Sequence, residues 1–344
     1  MPSYLQKPAE VIQQIVAGKS LLLAGEEKLL TQMPPGNWIG GTTPYFLNTM
    51  GGGFCQDQIM VTELPADLPV TLRAYGPNDL PQIYTDAAEN EVTFLILPAD
   101  APVHVDFAMH VEGYRKFATN PLLGWVAGVS LPELGHRPPK VFCGQAKPLA
   151  NHAAVLRLEL SSDLIPQIHS INPFTPGPGA AIIFPQSGFT ATTASVDGTN
   201  MDLTEYLARH QRHRHLPLIA RQGSALINVS VKHFDPVNRR VSFYAPVKAG
   251  MVYRLGEPVA DYYQKFAARL EELGNNELIF SCNCILNHIN ERLESRHAEF
   301  PGPIVFGEIA YQLTNQTRIY LTLEKIAPPA RNPGFMTLSA GWQR

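Results

Sequence analysis

The chain has 344 residues and a net charge of −3, from 27 basic and 30 acidic side chains, which excludes the broad basic surface of a nonspecific nucleic-acid binder. No apolar stretch approaches the roughly 20 residues that span a bilayer, and the first residues lack the apolar core of a signal peptide. The 4 cysteines are too few for a disulfide scaffold. We therefore expect a cytoplasmic protein of about two domains, without a membrane span or a nucleic-acid partner.

Apolar periodicity and turn residues divide the first half of the chain into short elements. In chain order, the pattern predicts a helix at 8–16, a strand at 20–24, a brief helix at 26–33, a strand at 38–41, a loop at 51–53, a hairpin of strands 59–64 and 70–75, a helix at 80–90, and strands at 92–97, 103–109, 141–143 and 154–160. Strict alternation over 103–109 places His104 and Asp106 on one face of the predicted strand.

The second half continues with the same short elements. The pattern predicts a helix at 166–171, a Pro- and Gly-rich loop at 172–179, strands at 181–184 and 189–196, a helix at 204–211, a hairpin of strands 225–234 and 241–247, a helix at 258–273, a strand at 277–281 leading into a helix at 285–293, and strands at 302–308 and 318–323. Many strands follow each other as hairpins, which favours an α/β (α+β) fold of mixed, largely antiparallel sheets flanked by helices. No Gly-x-Gly-x-x-Gly or Walker-type loop follows a strand, so nucleotide sites of those kinds are not expected.

Two stretches of the chain resemble each other in the order of their elements. SLLLAGEEKLL, PPGNWIGGTTPYF and QIMVTEL in the first half correspond to ELIFSCNCILNHI, FPGPIVFGEIAYQ and RIYLTLE in the second. This correspondence predicts two related halves, residues 1–170 and 171–344, packed as one compact unit. Equivalent strand ends would then face each other across a cleft, a common place for small-molecule sites. The alternative is that two unrelated α/β units share the same order of strands, helices and turn residues by chance.

The second stretch also resembles a known family. Ser281-Cys282-Asn283, Phe306-Gly307-Glu308-Ile309 and Asn315-Gln316-Thr317 are similar to the C-terminal half of FIST domains, and the resemblance extends over residues 215–325. In the first half, residues 38–46 resemble the corresponding segment, although Gly41-Thr42 stands where that family usually has a Cys-Ser pair. WIGGTTPYF and FSCNCILNHI also resemble a functionally uncharacterised bacterial branch related to FIST proteins. The resemblance implies a bacterial sensory module that binds a small ligand and signals to a kinase, cyclase or chemoreceptor, here in trans.

Gly307-Glu308 is the sharpest candidate site. Glycine lets a backbone approach a ligand closely, and the carboxylate could bind the amine or guanidinium of a ligand such as an amino acid. A structural ion pair or a backbone cap for Glu308 is the equally weighted alternative. The predicted ligand-binding set joins this pair to polar neighbours and to the counterparts in the first half: Gly41, Thr42, Thr43, Tyr45, Cys282, Asn283, Gly307, Glu308, Tyr311 and Asn315. No catalytic residue, metal ligand or cofactor is assigned.

Three other clusters leave alternatives open. Cys282 and Cys284 with His288 could hold Zn²⁺ or supply a thiol nucleophile to an enzyme site with Glu308, but small buried thiols at a strand-to-helix junction are the favoured interpretation. A haem- or metal-dependent sensor is a further alternative. His104, Asp106 and His110 could form a 2-His-1-carboxylate site or merely the solvent face of a strand. The residues His210, His213 and His215 are interleaved with arginines, which favours an exposed helix end over a metal site.

Overall fold

The computed structural model describes residues 3–48, 51–210, 215–259, 264–265, 277–291 and 301–326. Within them, the α-helices are α1 (Pro8–Val16), α2 (Glu27–Leu30), α3 (Gln82–Thr85), α4 (Pro102–His110), α5 (Leu203–His210) and α6 (Ile285–Glu291), and short 3-10 helices lie at Pro77–Asp79, Val111–Gly113 and Leu131–Glu133. The strands of the first half are β1 (Ser3–Gln6), β2 (Leu21–Gly25), β3 (Trp38–Thr42), β4 (Tyr45–Asn48), β5 (Gly51–Phe54), β6 (Ile59–Glu63), β7 (Val70–Tyr75), β8 (Glu91–Pro98), β9 (Leu122–Ala127), β10 (Val141–Cys143), β11 (Ala153–Glu159) and β12 (Leu164–Ile171).

The strands of the second half are β13 (Ile182–Ile183), β14 (Gly188–Ala191), β15 (Thr193–Val196), β16 (Thr199–Asp202), β17 (Leu218–Gln222), β18 (Ala225–Val229), β19 (Val231–Asp235), β20 (Arg240–Val247), β21 (Val252–Leu255), β22 (Glu277–Cys284), β23 (Gly302–Val305), β24 (Glu308–Ala310), β25 (Gln312–Thr314) and β26 (Arg318–Lys325). The expected fold class is confirmed: mixed sheets, largely antiparallel, carry a few flanking helices. None of the helices in the described ranges is both long and apolar enough to cross a membrane.

Three sheets share one strand order. The first sheet is β1-β6-β2-β3-β10, the second is β7-β11-β8-β9-β24-β25, and the third is β12-β26-β22-β23-β4-β5. In each sheet the first four strands pair antiparallel, antiparallel and parallel, and a helix connects the parallel strands. The second and third sheets contain strands from both predicted halves, so the halves are joined through shared sheets. The predicted duplication stays a prediction, and the strand order itself recurs three times.

The largest buried cluster lies between the three sheets. It takes Leu22 and Ile39 from the first sheet, Phe94 and Trp125 from the second and Phe280 from the third, among others. We call it the central core. The opposite faces carry the helices: α1 and α2 cover the first sheet, α4 covers the second and α6 covers the third. Since sheet residues alternate between faces, a strand such as β9 contributes to the central core through every second residue, here Leu123, Trp125 and Ala127.

A separate unit is inserted into the third sheet. Between β12 and β22, strands β13–β21 form a sheet of order β16-β15-β13-β21-β17-β18 and a three-stranded sheet β14-β20-β19. These strands and α5 enclose their own cluster of apolar side chains. We call residues 180–255 the inserted unit.

Three predicted secondary-structure elements were wrong. The causes are strand pairing with distant segments and an apolar pattern that fits both a helix and a strand. Residues 103–109, predicted as a strand, lie in α4, where Val103 and Phe107 are buried one helical turn apart. Residues 166–171, predicted as a helix, belong to β12, which is fully paired with β26. Residues 51–53, predicted as a loop, form β5 beside β4. The sequence V-H-V-D-F-A-M satisfies both periods, and pairing partners far along the chain supply the ladders of β12 and β5.

The remaining differences concern pairing and length. The strands predicted at 59–64 and 70–75 exist but form no hairpin, because β6 pairs with β1 and β2 whereas β7 pairs with β11. Only α3 occupies the predicted helix at 80–90. The hairpin predicted at 225–247 is confirmed in its β19–β20 part. Most of the helix predicted at 258–273 lies outside the described residues.

Candidate functional site

Glu308 is fully buried in the central region of the protein, with 0% of its surface exposed. It begins β24, and its direct partner across the antiparallel ladder is Trp125 on β9. Ala310, two residues further along β24, packs against the central core, and Trp125 is part of that core. Because alternate residues of a strand share a face, the Glu308 side chain points into the central core as well.

The groups around the carboxyl are hydrogen-bond donors without charge. The Thr317 hydroxyl donates to Glu308 Oε2 at 3.4 Å, and the Thr317 and Thr314 hydroxyl oxygens are 3.0 Å apart. The Thr314 hydroxyl also donates to the Glu308 carbonyl oxygen at 3.2 Å. Burial raises the pKa of Glu308 to about 8, although contacts with the Cys284 thiol and with Thr317 favour the ionised form. Glu308 is therefore protonated at neutral pH.

Two buried polar atoms at this position have no hydrogen-bond partner among the residues that the structure describes. They are Oε1 of Glu308 and Nε1 of Trp125, on the two residues that face each other across the ladder. The Trp125 ring is held by stacking on Phe280, with centroids 5.4 Å apart and planes 19° apart. An unpaired buried polar group costs about 1–3 kcal/mol, so this pair needs an explanation beyond packing.

Gly41 lies beside the same indole. A Cβ built on Gly41 would approach Trp125 Nε1 to 2.9 Å and Ile96 Cγ2 to 2.7 Å, closer than side chains tolerate. The absence of a side chain at Gly41 therefore lets the indole pack against β3, and Trp125 lies between Gly41 and the strand that carries Glu308. These two members of the predicted ligand set, one from each predicted half, thus converge on a residue that the sequence analysis did not select.

The recurring strand order makes Glu308 stand out. In each of the three sheets, a fifth strand pairs with the fourth strand: β24 with β9, β4 with β23 and β10 with β3. The paired residues include Glu308 with Trp125, Phe46 with Pro303 and Val141 with Gly41. Phe46 and Val141 are apolar members of the central core. Glu308 alone among these three side chains is ionisable, in a place where an apolar residue would satisfy the packing. Polar or ionisable residues at positions where packing calls for an apolar residue concentrate at functional sites.

The other predicted residues of the first half have structural partners. The Thr42 hydroxyl accepts from the Lys140 backbone N–H at 3.0 Å, and the Thr43 hydroxyl donates to the Ile304 carbonyl at 2.9 Å. The Tyr45 hydroxyl accepts from the Leu131 backbone N–H at 3.0 Å. These contacts tie the ends of β3 and β4 to neighbouring elements, so the polar atoms of these side chains are already used by the fold.

Asn283 and Asn315 belong to a buried polar network. Asn283 Oδ1 accepts from the Cys284 backbone N–H and from the Asn287 side-chain amide, both at 2.9 Å, at the start of α6. Asn315 Oδ1 accepts from the Ser230 backbone N–H at 3.2 Å, and its carbonyl accepts from Asn228 at 3.1 Å. Asn315 thus joins the β25–β26 loop to the inserted unit.

Gly307 and Tyr311 shape the backbone on either side of β24. The Gly307 carbonyl accepts from the Val126 N–H at 2.8 Å, and an added Cβ would lie 3.0 Å from Leu313 Cδ1, so close packing accounts for the glycine. Tyr311 turns the chain between β24 and β25 with a φ of 60°, and its carbonyl accepts from the Tyr84 hydroxyl at 2.8 Å. Both residues thus hold the backbone around Glu308 in place, one through packing and the other through a turn.

The cysteines do not resemble a nucleophile. Cys282 and Cys284 are each 1% exposed, and burial together with the nearby Glu308 raises the pKa of both thiols well above its ordinary value. Both are therefore protonated at neutral pH, whereas a nucleophile requires the thiolate. His288 lies beside Tyr45, with ring centroids 5.9 Å apart. The geometry favours the small buried residues of the sequence interpretation over a thiol enzyme.

Among the described residues, the predicted histidine clusters do not assemble a metal site. Across the described ranges, no three His, Cys, Asp or Glu side chains converge closely enough to hold a metal ion. His104 is buried and accepts from the Asp100 N–H at 3.2 Å, and burial lowers its pKa to about 4. Asp106 instead pairs with His110 one helical turn later at 2.9 Å. The arrangement predicted from a strand is absent there because these residues lie on a helix; His213 lies outside the described residues.

Sequence reasoning missed Trp125 and the role of Thr317 beside Glu308. The apolar composition of Leu122–Ala127 would have predicted β9. Its single tryptophan is the one residue in that run whose side chain can form a hydrogen bond. Its pairing with Glu308 could not be foreseen, because β9 and β24 are far apart in the chain.

Comparison with known families gives one match over most of the chain. The family described as "Family of unknown function (DUF6976)" matches residues 6–324. The chain belongs to this family. The DUF6976 match spans the three recurring strand orders except most of β1, together with the inserted unit and the pair Glu308 and Trp125. A search of curated proteins finds no match to the chain.

Proposed function

We propose that this DUF6976 protein is a cytoplasmic, small-molecule-binding sensory protein, and that its ligand is bound at Glu308 and Trp125. The observation that carries the proposal is the pair of buried, unpartnered atoms, Glu308 Oε1 and Trp125 Nε1, on directly opposed residues. The resemblance of residues 215–325 to FIST domains supports a sensory role. A kinase, cyclase or chemoreceptor acting in trans would receive the signal.

A ligand that pairs both atoms should stabilise the native protein, because it binds only the folded state. Relief of the two unsatisfied groups, each of which costs about 1–3 kcal/mol, contributes to that binding free energy. Glu308 is 0% exposed and Trp125 is 1% exposed, so entry of a ligand requires an opening of the native protein. Binding should therefore be slow, and it should be detected most readily as an increase in the melting temperature of the protein.

The polar network offers a route from the site towards the surface. Thr317 contacts Glu308, and the preceding Gln316 accepts from the Ser230 hydroxyl at 2.6 Å and donates to the His215 carbonyl at 2.9 Å. Ser230 belongs to the inserted unit. A change at Glu308 that shifts residues 314–317 would therefore alter how the inserted unit is held, which is a change that a partner protein could read.

Thermal unfolding of the full chain tests the proposal. We expect a screen of amino acids, small amines, amides and keto compounds to find a compound that raises the melting temperature by about 2 °C or more, since a concentration of 100 Kd adds about 2.7 kcal/mol. Glu308→Ala should abolish the shift. Glu26→Gln is the matched control, because Glu26 is another buried glutamate but pairs with Arg137 at 2.9 Å. A shift that survives in Glu308→Ala would remove Glu308 from the site.

A partner that reads the site should respond to the same compound. Affinity capture with the full chain, with and without the stabilising compound, should enrich a signalling protein in one of the two conditions. Equal capture in both conditions, with the melting shift intact, would leave ligand binding in place and refute signalling through that partner.

A further inference from the structure

We propose that Glu308 and Trp125 form a pair of hydrogen-bond donors that hold a carbonyl oxygen, so that the group recognised is an amide or ketone rather than an amine. This inference rests on the proposed function, because it names the chemistry of the same site. It departs from the expectation that Glu308 attracts a cationic ligand.

The geometry assigns the donors. An indole nitrogen can only donate, so the unpaired Nε1 of Trp125 requires an acceptor. On Glu308, Oε2 accepts from the Thr317 hydroxyl at 3.4 Å, and the Cys284 thiol also interacts with the carboxyl, whereas Oε1 has no hydrogen-bond partner of ordinary geometry among the described residues. A neutral carboxylic acid carries its hydrogen on one of its two oxygens, and we place it on Oε1 because Oε2 accepts from Thr317. Oε1 is then a second donor on the residue opposite Trp125.

The surroundings favour the neutral acid. The groups facing Glu308 are the hydroxyls of Thr314 and Thr317, the Cys284 thiol and the Trp125 ring, all uncharged. The Cys282 thiol is near enough for Glu308 to raise its pKa.

A positive charge exists close to the site but is engaged elsewhere. Arg318 begins β26, and its guanidinium lies 5.6 Å from the centre of the Tyr320 ring. Its charge lowers the pKa of Cys282. A carbonyl oxygen brings no charge into the core, whereas an ammonium group would lose its hydration there at a cost of several kcal/mol.

The two ligand chemistries respond oppositely to pH. Ionised Glu308 cannot donate, so a carbonyl compound should bind more weakly as the pH rises through about 8. An amine needs the ionised carboxylate, so it should bind more tightly over the same range. Glu308→Gln separates them further, because the amide NH₂ still donates to a carbonyl but offers an amine no charge.

The test uses ¹H–¹⁵N spectra of the full chain, in which each of the 3 tryptophans gives one indole N–H resonance. The Trp125 resonance is assigned by its disappearance in Trp125→Phe. The probes are acetamide and acetone as carbonyl compounds and isopropylamine as the amine. We expect both carbonyl compounds to move the Trp125 indole proton downfield at pH 6.5, with dissociation constants about tenfold higher at pH 9 than at pH 6.5.

Glu308→Gln should keep the acetamide-induced shift and lose its pH dependence. Isopropylamine that binds more tightly at pH 9, and is lost in Glu308→Gln, would overturn the carbonyl assignment while leaving the proposed function standing. Binding of the carbonyl compounds without movement of the Trp125 resonance would also overturn it. Should Glu308→Gln not fold, Trp125→Phe must weaken acetamide binding, measured by the melting shift, or the inference fails. Failure of the proposed function is recognised separately, by a thermal screen in which no compound stabilises the protein.

Discussion

Replacing Glu308 by Gln should change how the stability of this protein depends on pH. The folded protein holds the pKa of Glu308 at about 8, against 4.5 for an ordinary glutamate, because the side chain is fully buried. The unfolded chain therefore loses this proton several pH units before the native protein does. Below pH 4.5 the carboxyl is protonated in both states and has no titration penalty. As the pH rises from 4.5 through 8, the native state loses stability.

The expected magnitude follows from the pKa difference. Each unit is worth about 1.4 kcal/mol, so the native protein should lose about 3 kcal/mol through this group between pH 4.5 and pH 7. The loss should level off at about 5 kcal/mol above pH 8. Solvent screening does not reduce this free energy, since Glu308 is 0% exposed. The amide introduced by Glu308→Gln does not titrate, so the variant should gain stability relative to wild type over this range.

Urea unfolding of both proteins from pH 5 to pH 9 measures this difference. Other groups, such as His104 with its pKa lowered to about 4, are common to both proteins and cancel in the comparison. We expect the free energy of unfolding of Glu308→Gln, relative to wild type, to rise by about 1.4 kcal/mol per pH unit up to pH 8. A difference that stays constant from pH 5 to pH 9 would refute the assignment of a buried, protonated Glu308.

The remaining predictions concern the neighbours of Glu308. Trp125→Phe should stay within about 1 kcal/mol of wild-type stability in urea, since it retains an aromatic ring against Phe280 and removes an unpaired buried donor. Gly41→Ala should destabilise by about 1–3 kcal/mol in the same assay, because its methyl group would overlap Ile96 and the Trp125 indole. Iodoacetamide should leave Cys282 and Cys284 unlabelled in the native protein, as mass spectrometry would show, because both are buried with raised pKa values.

Matched controls separate these effects from general disturbance. Gly53→Ala should be neutral, since an added Cβ there has no neighbour within 4 Å. Equal destabilisation by both alanines would contradict the packing argument for Gly41. Cys55 is partly exposed and should be labelled while Cys282 and Cys284 are not. Rapid labelling of Cys284 in the folded protein would contradict this prediction and support the alternative of a reactive thiol.

Local sequence was sufficient where burial and period agree. The helix α1 begins with Pro8 and ends before Gly18, as predicted, and β8 and β11 were found from their apolar runs. Gly307-Glu308 was selected because glycine lets a backbone approach a ligand closely and the carboxylate could bind an amine or guanidinium. These features depend on residues close in sequence, whose preferences survive in the folded protein.

Tertiary pairing decided the rest. The segment 103–109 fits both a helix and a strand, and its packing against the second sheet as α4 resolved that ambiguity. Equally, no local pattern indicates that β24 lies beside β9, which places Glu308 opposite Trp125.

The sequence by itself determined the fold class, most of the elements and the choice of Glu308 as a candidate. Only the tertiary structure decided that Glu308 lies inside the central core, opposite an unpaired indole and beside Gly41. The physical reason is that a carboxyl acquires its pKa and its partners from the groups that surround it, and strand pairing brings those groups from distant parts of the chain.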